Sequence, residues 1–115
     1  MHDGWTALAY ASMNGFYHIV DILIKAGADL NTKDRLRRNP LHWAARFNNA
    51  FMAQKLLEMG ISYQEPDNQG NTPDDIASIY RKKEVREVIA EFEHQAKKEA
   101  DAKKRRKDQI DRLKN

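Results

Sequence analysis

A 33-residue repeat constrains the fold of this chain more than any other feature of its sequence. Residues 6–11 align with residues 39–44, and these align in turn with residues 72–77, at equal steps of 33 residues. The same step relates Gly27 to Gly60 in the first two units. A unit of this length cannot bury its apolar side chains alone, so repeated units cover one another. The repeat therefore predicts a stack of like units.

Each unit is predicted to contain a turn followed by two short antiparallel helices. Asn39 can accept a hydrogen bond from an unpaired N–H at the start of a helix, and Pro40 lacks the N–H that would stay unpaired there. The first helices are expected at about 7–13 and 40–47. The second helices carry apolar stripes of helical period, formed by Ile19, Val20, Leu23, Ile24, Met52, Ala53, Leu56 and Leu57. A glycine follows each stripe and is expected to end the helix.

This pattern resembles the ankyrin repeat family. The residues of the first unit that match the family motif are Gly4, Thr6, Leu8, Ala11, Gly15, Val20, Leu23, Gly27, Ala28, Asp29 and Asn31. Those of the second unit are Asp34, Pro40, Leu41, His42, Ala44, Ala45, Leu56, Leu57 and Gly60. Those of the third unit are Asp67, Gly70, Thr72, Pro73 and Ala77. The resemblance implies an all-α solenoid of helix-turn-helix units with protruding β-turns over residues 1–93, divided into 1–33, 34–66 and 67–93.

Departures from the motif carry expectations of their own. His42 occupies the histidine position, where the resemblance implies a structural hydrogen bond between repeats. Arg37 stands where the motif has a turn glycine, so a strained backbone is expected there. Asp74 replaces an apolar residue, which suits the outer face of a terminal repeat. The outward face of the first unit, including Leu8 and the Ile19–Leu23 side, is expected to meet water because no polar capping repeat precedes it, unless a longer repeat array or a partner subunit covers it. Glu93 stands where a glycine ends the earlier second helices, so the third should continue.

The resemblance implies a non-catalytic protein–protein interaction or scaffolding module, expected to be a docking or structural subunit of a larger assembly. In this family, partners contact the turns and the first helices. Carried over position by position, the partner-binding residues are expected to be Trp5, Met13, Arg35, Leu36, Arg38, Arg46, Phe47, Ile79 and Tyr80. Aromatic, Met and Arg side chains are enriched in the cores of protein interfaces. The alternative for Trp5, Phe47 and Tyr80 is that they only pack on the turn of the next repeat. Tyr10 and Trp43 are expected to pack between repeats and not to contact a partner.

Three arginines make the second turn basic, namely Arg35, Arg37 and Arg38. This charge suggests an acidic surface on the partner protein.

The last helix is predicted to run on into a basic extension, residues 94–115. Residues 74–115 contain no Gly or Pro and are rich in good helix formers. The helix is expected to reach about Leu113. A 4-3 apolar spacing through this segment meets three consecutive polar positions, Glu99, Lys103 and Arg106. These polar positions favour a single charged helix over a coiled coil.

Five consecutive positive charges lie in the extension, Lys103, Lys104, Arg105, Arg106 and Lys107. Residues 81–115 carry a net charge of +5 and residues 1–80 a net charge of −2. A solvated helix surface or a contact with an acidic protein is the favoured interpretation. A nuclear import signal or a nucleic-acid contact is the alternative. No aromatic residue interleaves the charges, which argues against stacking on bases.

Catalytic and metal-binding patterns are missing from the sequence. The absence of Cys excludes disulfides, thiolate catalysis and Cys-based zinc sites. The four His lack the i, i+4 spacing of a helical metal site, and the adjacent Asp74 and Asp75 would diverge on a helix. Glycine-rich phosphate loops and nucleophile elbows are missing too. The sequence therefore predicts no enzyme activity, no cofactor, no metal and no small-molecule substrate.

The compartment is predicted from two further features. No apolar run approaches the roughly 20 residues that a membrane-spanning helix needs. The start of the chain also lacks the basic and apolar regions of a signal peptide. We therefore expect an intracellular protein, cytoplasmic or nuclear.

Overall fold

The computed structural model describes residues 7–114, and these form six α-helices. The short helices are α1 (Ala7–Met13), α2 (Tyr17–Lys25), α3 (Pro40–Arg46), α4 (Ala50–Glu58) and α5 (Pro73–Ile79). The sixth helix, α6, runs over Lys83–Lys114. The all-α fold predicted from the sequence is confirmed. The helices predicted at 7–13 and 40–47 match α1 and α3 to within one residue.

The helices pair in sequence order, and the pairs stack side by side. α3 packs between α1 and α5, and α4 packs against α6. Leu41 of α3, with Met52 and Leu56 of α4, is almost completely buried at the centre of the core. Val20 from α2 and Ile89 from α6 extend this core toward the two ends. The stack is therefore held together by apolar contacts between neighbouring pairs, as expected for repeats that cannot stand alone.

Reciprocal hydrogen bonds start α3 and α5 at the predicted N-cap residues. Asn39 Oδ1 accepts the backbone N–H of His42 at 3.1 Å, and His42 Nδ1 accepts the backbone N–H of Asn39 at 3.1 Å. Thr72 Oγ1 and Asp75 form the same pair of bonds at 3.2 and 3.0 Å. Each box satisfies two donors that the helix leaves unpaired, and an N-cap side chain contributes about 1 kcal/mol.

Left-handed backbone ends the helices and shapes the turns. Gly27 and Gly60 follow α2 and α4 with φ of 97° and 96°. Arg37 has φ of 62°, in agreement with the strain expected from its position in the repeat. Asn48 and Arg81, which follow α3 and α5, also have positive φ, at 55° and 57°. Arg81 was not anticipated, because nothing in an Arg signals the left-handed region.

The first helix pair buries Leu8, which was expected to be exposed. Leu8 is only 2% exposed, so the prediction that it meets water is wrong. It belongs to the core because α1 packs directly on α3. The expected exposure is confirmed on α2, where Ile19 and Ile22 are 47% and 63% exposed. At the other end, Asp74 meets Arg86 of α6 at 3.5 Å between Oδ1 and Nε, in partly exposed surroundings.

The long helix α6 joins the stack through its first part only. Val85 and Ile89 are buried in the core, and Phe92 packs edge-on against Tyr63 with ring centroids 5.6 Å apart. Residues 103–114 are exposed along their whole length. At 32 residues the helix is about 48 Å long. None of the described helices combines the length and apolar character needed to cross a membrane.

Candidate protein-binding surface

The C-terminal ends of α1, α3 and α5 and the turn before α3 carry the predicted partner-binding residues. We call this region the first-helix surface, and within the described residues it consists of Met13, Arg35, Leu36, Arg46, Phe47, Ile79 and Tyr80. Trp5, which the sequence also assigned to it, lies outside the described residues.

Arg46 connects two repeats across this surface. Its guanidinium carbon lies 3.8 Å from the centroid of the Tyr80 ring and 5.2 Å from that of Phe47. Phe47 is 46% exposed and Tyr80 is 41% exposed, so both side chains remain partly accessible to solvent. A cation over an aromatic ring contributes about 0.5–1 kcal/mol at exposed sites. The contact also limits the rotamers of three large side chains.

Trp43 supports Phe47 from below. The two rings lie nearly parallel, at 17°, with centroids 6.4 Å apart. The indole N–H of Trp43 donates to Asp34 Oδ2 at 2.8 Å, which fixes the indole against the turn of its own repeat. Trp43 is 6% exposed, in agreement with the expectation that it packs between repeats.

Apolar side chains flank the Arg46 cluster. Ile79 is 59% exposed at the end of α5, and Met13 is half-buried at the equivalent end of α1. Leu36 is 39% exposed on the turn, and its carbonyl accepts the backbone N–H of Asn68 at 2.8 Å, which ties this turn to the next one. Arg35 lies beside it and is exposed. The surface thus combines apolar area with positive charge.

Arg38 plays a different part from the other predicted residues. Its Nε donates to Asp67 Oδ2 at 3.2 Å, its guanidinium lies 5.3 Å from the Trp43 ring, and its side chain is only 17% exposed. The side chain therefore joins the second repeat to the third. We leave Arg38 out of the proposed contact surface because its charge is already paired inside the stack.

Asp67 is the acceptor that organises the third turn. Its Oδ1 accepts the backbone N–H groups of Gln69 and Asn71, both at 2.9 Å, while Oδ2 receives Arg38. Burial alone would raise the pKa of this carboxyl, but the two backbone hydrogen bonds and the Arg38 guanidinium hold the pKa below its usual value. Asp67 therefore stays ionised and keeps the turn closed.

His42 is a structural side chain that connects two repeats. Its Nε2 lies 2.9 Å from the carbonyl oxygen of Asn71 in the next turn, and that oxygen can only accept. Nε2 therefore carries the proton, and Nδ1 accepts the N–H of Asn39. Burial lowers the pKa of His42 and favours this neutral form, although the Asn71 bond opposes the shift.

Tyr10 is an exposed residue that sequence reasoning placed elsewhere. Tyr10 is expected to pack between repeats because it aligns with Trp43, which lies 33 positions later. In the structure Tyr10 is 51% exposed. Trp43 is held by Asp34 of its own turn, whereas the position 33 residues before Asp34 is Met1, which lies outside the described part of the chain.

The side chains of the basic run Lys103, Lys104, Arg105, Arg106 and Lys107 are all exposed on α6. Successive residues turn by about 100°, so the charges surround the helix instead of lining one side. They lie on a different element from the first-helix surface.

The two adjacent carboxylates of α5 make structural contacts. Asp75 caps α5, and Asp74 meets Arg86. Within residues 7–114 no three His, Asp or Glu side chains are grouped in a way that could hold a metal ion.

Three helix pairs stacked side by side, with turns between them, define a helical repeat protein. The family profile described as "Ankyrin repeats (many copies)" matches residues 23–77, and the profile described as "Ankyrin repeat" matches residues 3–35. The chain belongs to the ankyrin repeat family.

Known proteins with related sequences contain the same repeat. Neurogenic locus notch homolog protein 1 of Homo sapiens is 38% identical over 73 residues, which is 64% of this chain and 3% of that protein. Inversin of Gallus gallus is 33% identical over 104 residues, which is 90% of this chain and 9% of that protein. The chain thus spans less than a tenth of the length of either relative.

Proposed function

We propose that this ankyrin repeat protein is a non-catalytic docking module that binds an acidic protein through the first-helix surface. Ankyrin repeats are protein–protein interaction modules, and that general role applies to this chain. The specific surface, the charge of the partner and a place as a docking or structural subunit of a larger assembly are the parts we propose. The repeat stack is taken as residues 1–93 and the basic extension as 94–115.

The contact of Arg46 with Tyr80 is the observation that carries the proposal. A guanidinium 3.8 Å from a ring that is itself 41% exposed presents charge and apolar area side by side. Interface cores are enriched in these residue types, and Arg and Tyr are among the side chains that most often dominate binding energy. Neither residue is needed to close the core, which is filled by side chains such as Leu41 and Leu56.

The partner is proposed to be acidic because exposed positive charge borders the apolar area. Arg35 and Arg37 are exposed on the turn, and the half-buried Arg46 holds its guanidinium over Tyr80. A carboxylate that approaches the edge of the Arg46 guanidinium would add charge-assisted hydrogen bonds without displacing the ring. The basic run of α6 is a second positively charged surface for an acidic partner.

Site-specific photo-crosslinking tests the proposal. Ile79→p-benzoylphenylalanine places the crosslinker beside Tyr80 at a position that is 59% exposed. Phe51→p-benzoylphenylalanine is the matched control, because Phe51 is 63% exposed but lies on α4. We expect a defined acidic protein to be captured at Ile79 and not at Phe51. Equal capture at both positions, or capture at Phe51 alone, would exclude the first-helix surface.

A further inference from the structure

A groove of about 450 Å³ lies between α4 and α6, away from the first-helix surface. Its apolar lining is supplied by Ala50, Val88 and Phe92. The charged side chains along it are all carboxylates, namely Glu58, Glu84, Glu87 and Glu91. Neither Lys nor Arg lines the groove, although Lys55 and Lys83 reach Glu58 and Glu87 from outside it at 3.6 and 3.9 Å. An apolar floor between carboxylates is suited to a basic helix with an apolar face.

The carboxylate of Glu84 is fixed in the charged form at one end of this groove. Its Oε2 accepts the side-chain N–H of Asn48 at 3.0 Å. Backbone and Asn48 hydrogen bonds lower the pKa of Glu84. Glu91 at the other end accepts the side-chain amide of Gln95 at 2.9 Å.

The exposed end of α6 carries the complementary pattern. The face that Glu84, Val88, Glu91 and Gln95 turn toward the groove continues at steps of three and four residues. Beyond the groove it consists of Glu99, Ala102, Arg106, Ile110 and Leu113. Ile110 is 52% exposed and Leu113 is 87% exposed. This face of α6 is thus acidic and apolar as far as Glu99, and beyond Glu99 it combines Arg106 with apolar side chains.

We propose that the groove between α4 and α6 binds the basic end of α6 from a second copy of this chain. The two α6 helices would lie antiparallel about a twofold axis near residue 99. Residues 84–95 of each copy would then face residues 103–114 of the other, two segments of equal length at about 17 Å. A twofold contact of this kind is closed, so it produces a dimer and not a fibre.

This arrangement pairs side chains of matching chemistry. Val88 lies opposite Ile110 of the second copy, and Phe92 lies opposite Arg106, where a cation can rest on the ring. Glu91 and Glu84 lie beside Lys107 and Lys114 at the flanks of the contact. Glu99 meets its own symmetry mate near the axis, one turn from Lys103 of the second copy. Of the polar positions that weigh against a free-standing coiled coil, Arg106 meets the Phe92 ring here, and the charge of Glu99 is balanced by Lys103 of the second copy one turn away.

A cysteine at the proposed axis tests the geometry, and the chain has no native Cys to interfere. Glu99→Cys should form an intermolecular disulfide rapidly under mild oxidation, because the two thiols would meet across the axis. Asp101→Cys is the control, since residue 101 lies on the opposite side of the helix. We expect Glu99→Cys to crosslink at least tenfold faster than Asp101→Cys. Equal rates would overturn the proposal.

Charge reversal separates a second copy from other occupants. Sedimentation of the full chain should show a dimer that weakens as salt is raised. Arg106→Glu should weaken that dimer at least tenfold, whereas Lys104→Glu, with the same charge change on the other side of the helix, should leave it within twofold. Lys107→Glu mixed with Glu91→Lys, which exchanges the charges of one proposed contact, should recover a mixed dimer. A monomer at all concentrations, even if the groove binds a basic helical peptide, would overturn the assignment to a second copy.

Discussion

The guanidinium carbon of Arg46 lies 3.8 Å from the centroid of the Tyr80 ring and thereby joins the end of α3 to the end of α5. Because Arg46 and Tyr80 both remain partly exposed, their contact belongs to the surface of the molecule and not to its core. The stability of the stack and the binding of a partner should consequently respond differently when this pair is changed.

A double-mutant cycle on this pair measures its intrinsic strength. Arg46→Ala, Tyr80→Ala and the double variant should give a coupling energy of about 0.5–1 kcal/mol in urea unfolding, as measured for other exposed cation–π contacts. A coupling energy near zero would mean that the ring and the guanidinium do not hold each other.

Asp67 should matter more for stability than its ion-pair partner. Asp67→Ala leaves two backbone N–H groups of the turn without their acceptor, as well as Arg38 without its partner. At about 1 kcal/mol for each hydrogen bond, we expect a loss of about 2–4 kcal/mol, against about 1 kcal/mol for Arg38→Ala. Urea unfolding of both variants checks this order. Equal losses would show that the turn does not depend on the carboxylate.

The link through His42 should depend on pH. Burial lowers the pKa of His42, so the unfolded chain takes up a proton at higher pH than the folded chain does. The contribution of His42 to the free energy of unfolding is thus fully present above about pH 6.5, and it falls as the pH drops from there toward the folded-state pKa. The stability advantage of the native chain over His42→Gln should narrow between pH 7.5 and pH 5. An advantage that stays constant over this range would contradict a buried neutral imidazole.

Replacing the strained turn residue should stabilise the protein. Arg37 has φ of 62°, whereas the equivalent position of the third turn is Gly70 with φ of 82°. Left-handed backbone costs a residue with a side chain about 1–2 kcal/mol, and the entropy of glycine in the unfolded chain offsets part of any gain. We expect Arg37→Gly to gain about 0.5 kcal/mol and Gly70→Ala to lose about 1 kcal/mol in thermal or urea unfolding. A loss of stability in Arg37→Gly would show that the turn is not strained.

The helices could be predicted from the sequence because their signals are local. Asn39 caps the start of α3, and glycines end α2 and α4. The third unit has Glu93 in place of such a glycine, so α6 continues. Each of these signals acts within one or two helical turns. The repeat added long-range order, since one register places every first helix beside the next.

For the candidate site, the sequence could predict only which positions of each repeat are involved, and not which side chains contact one another. The ion pair of Arg38 with Asp67 joins residues 29 positions apart. Nothing in the sequence of either turn reveals that the positive charge of Arg38 is paired inside the stack. The burial of Leu8 and the exposure of Tyr10 likewise depend on which neighbouring elements cover them. The contact between Arg46 and Tyr80 needs side-chain directions, which a repeat alignment does not contain.

The affinity for the captured partner tests the central claim most directly. Once photo-crosslinking at Ile79 has identified that partner, its Kd should be measured by calorimetry for the native chain, for Tyr80→Ala and for Phe51→Ala. We expect Tyr80→Ala to raise the Kd at least tenfold, which is about 1.4 kcal/mol, and Phe51→Ala to change it less than twofold. A Kd unchanged in Tyr80→Ala, with circular dichroism showing an intact fold, would contradict binding through the first-helix surface.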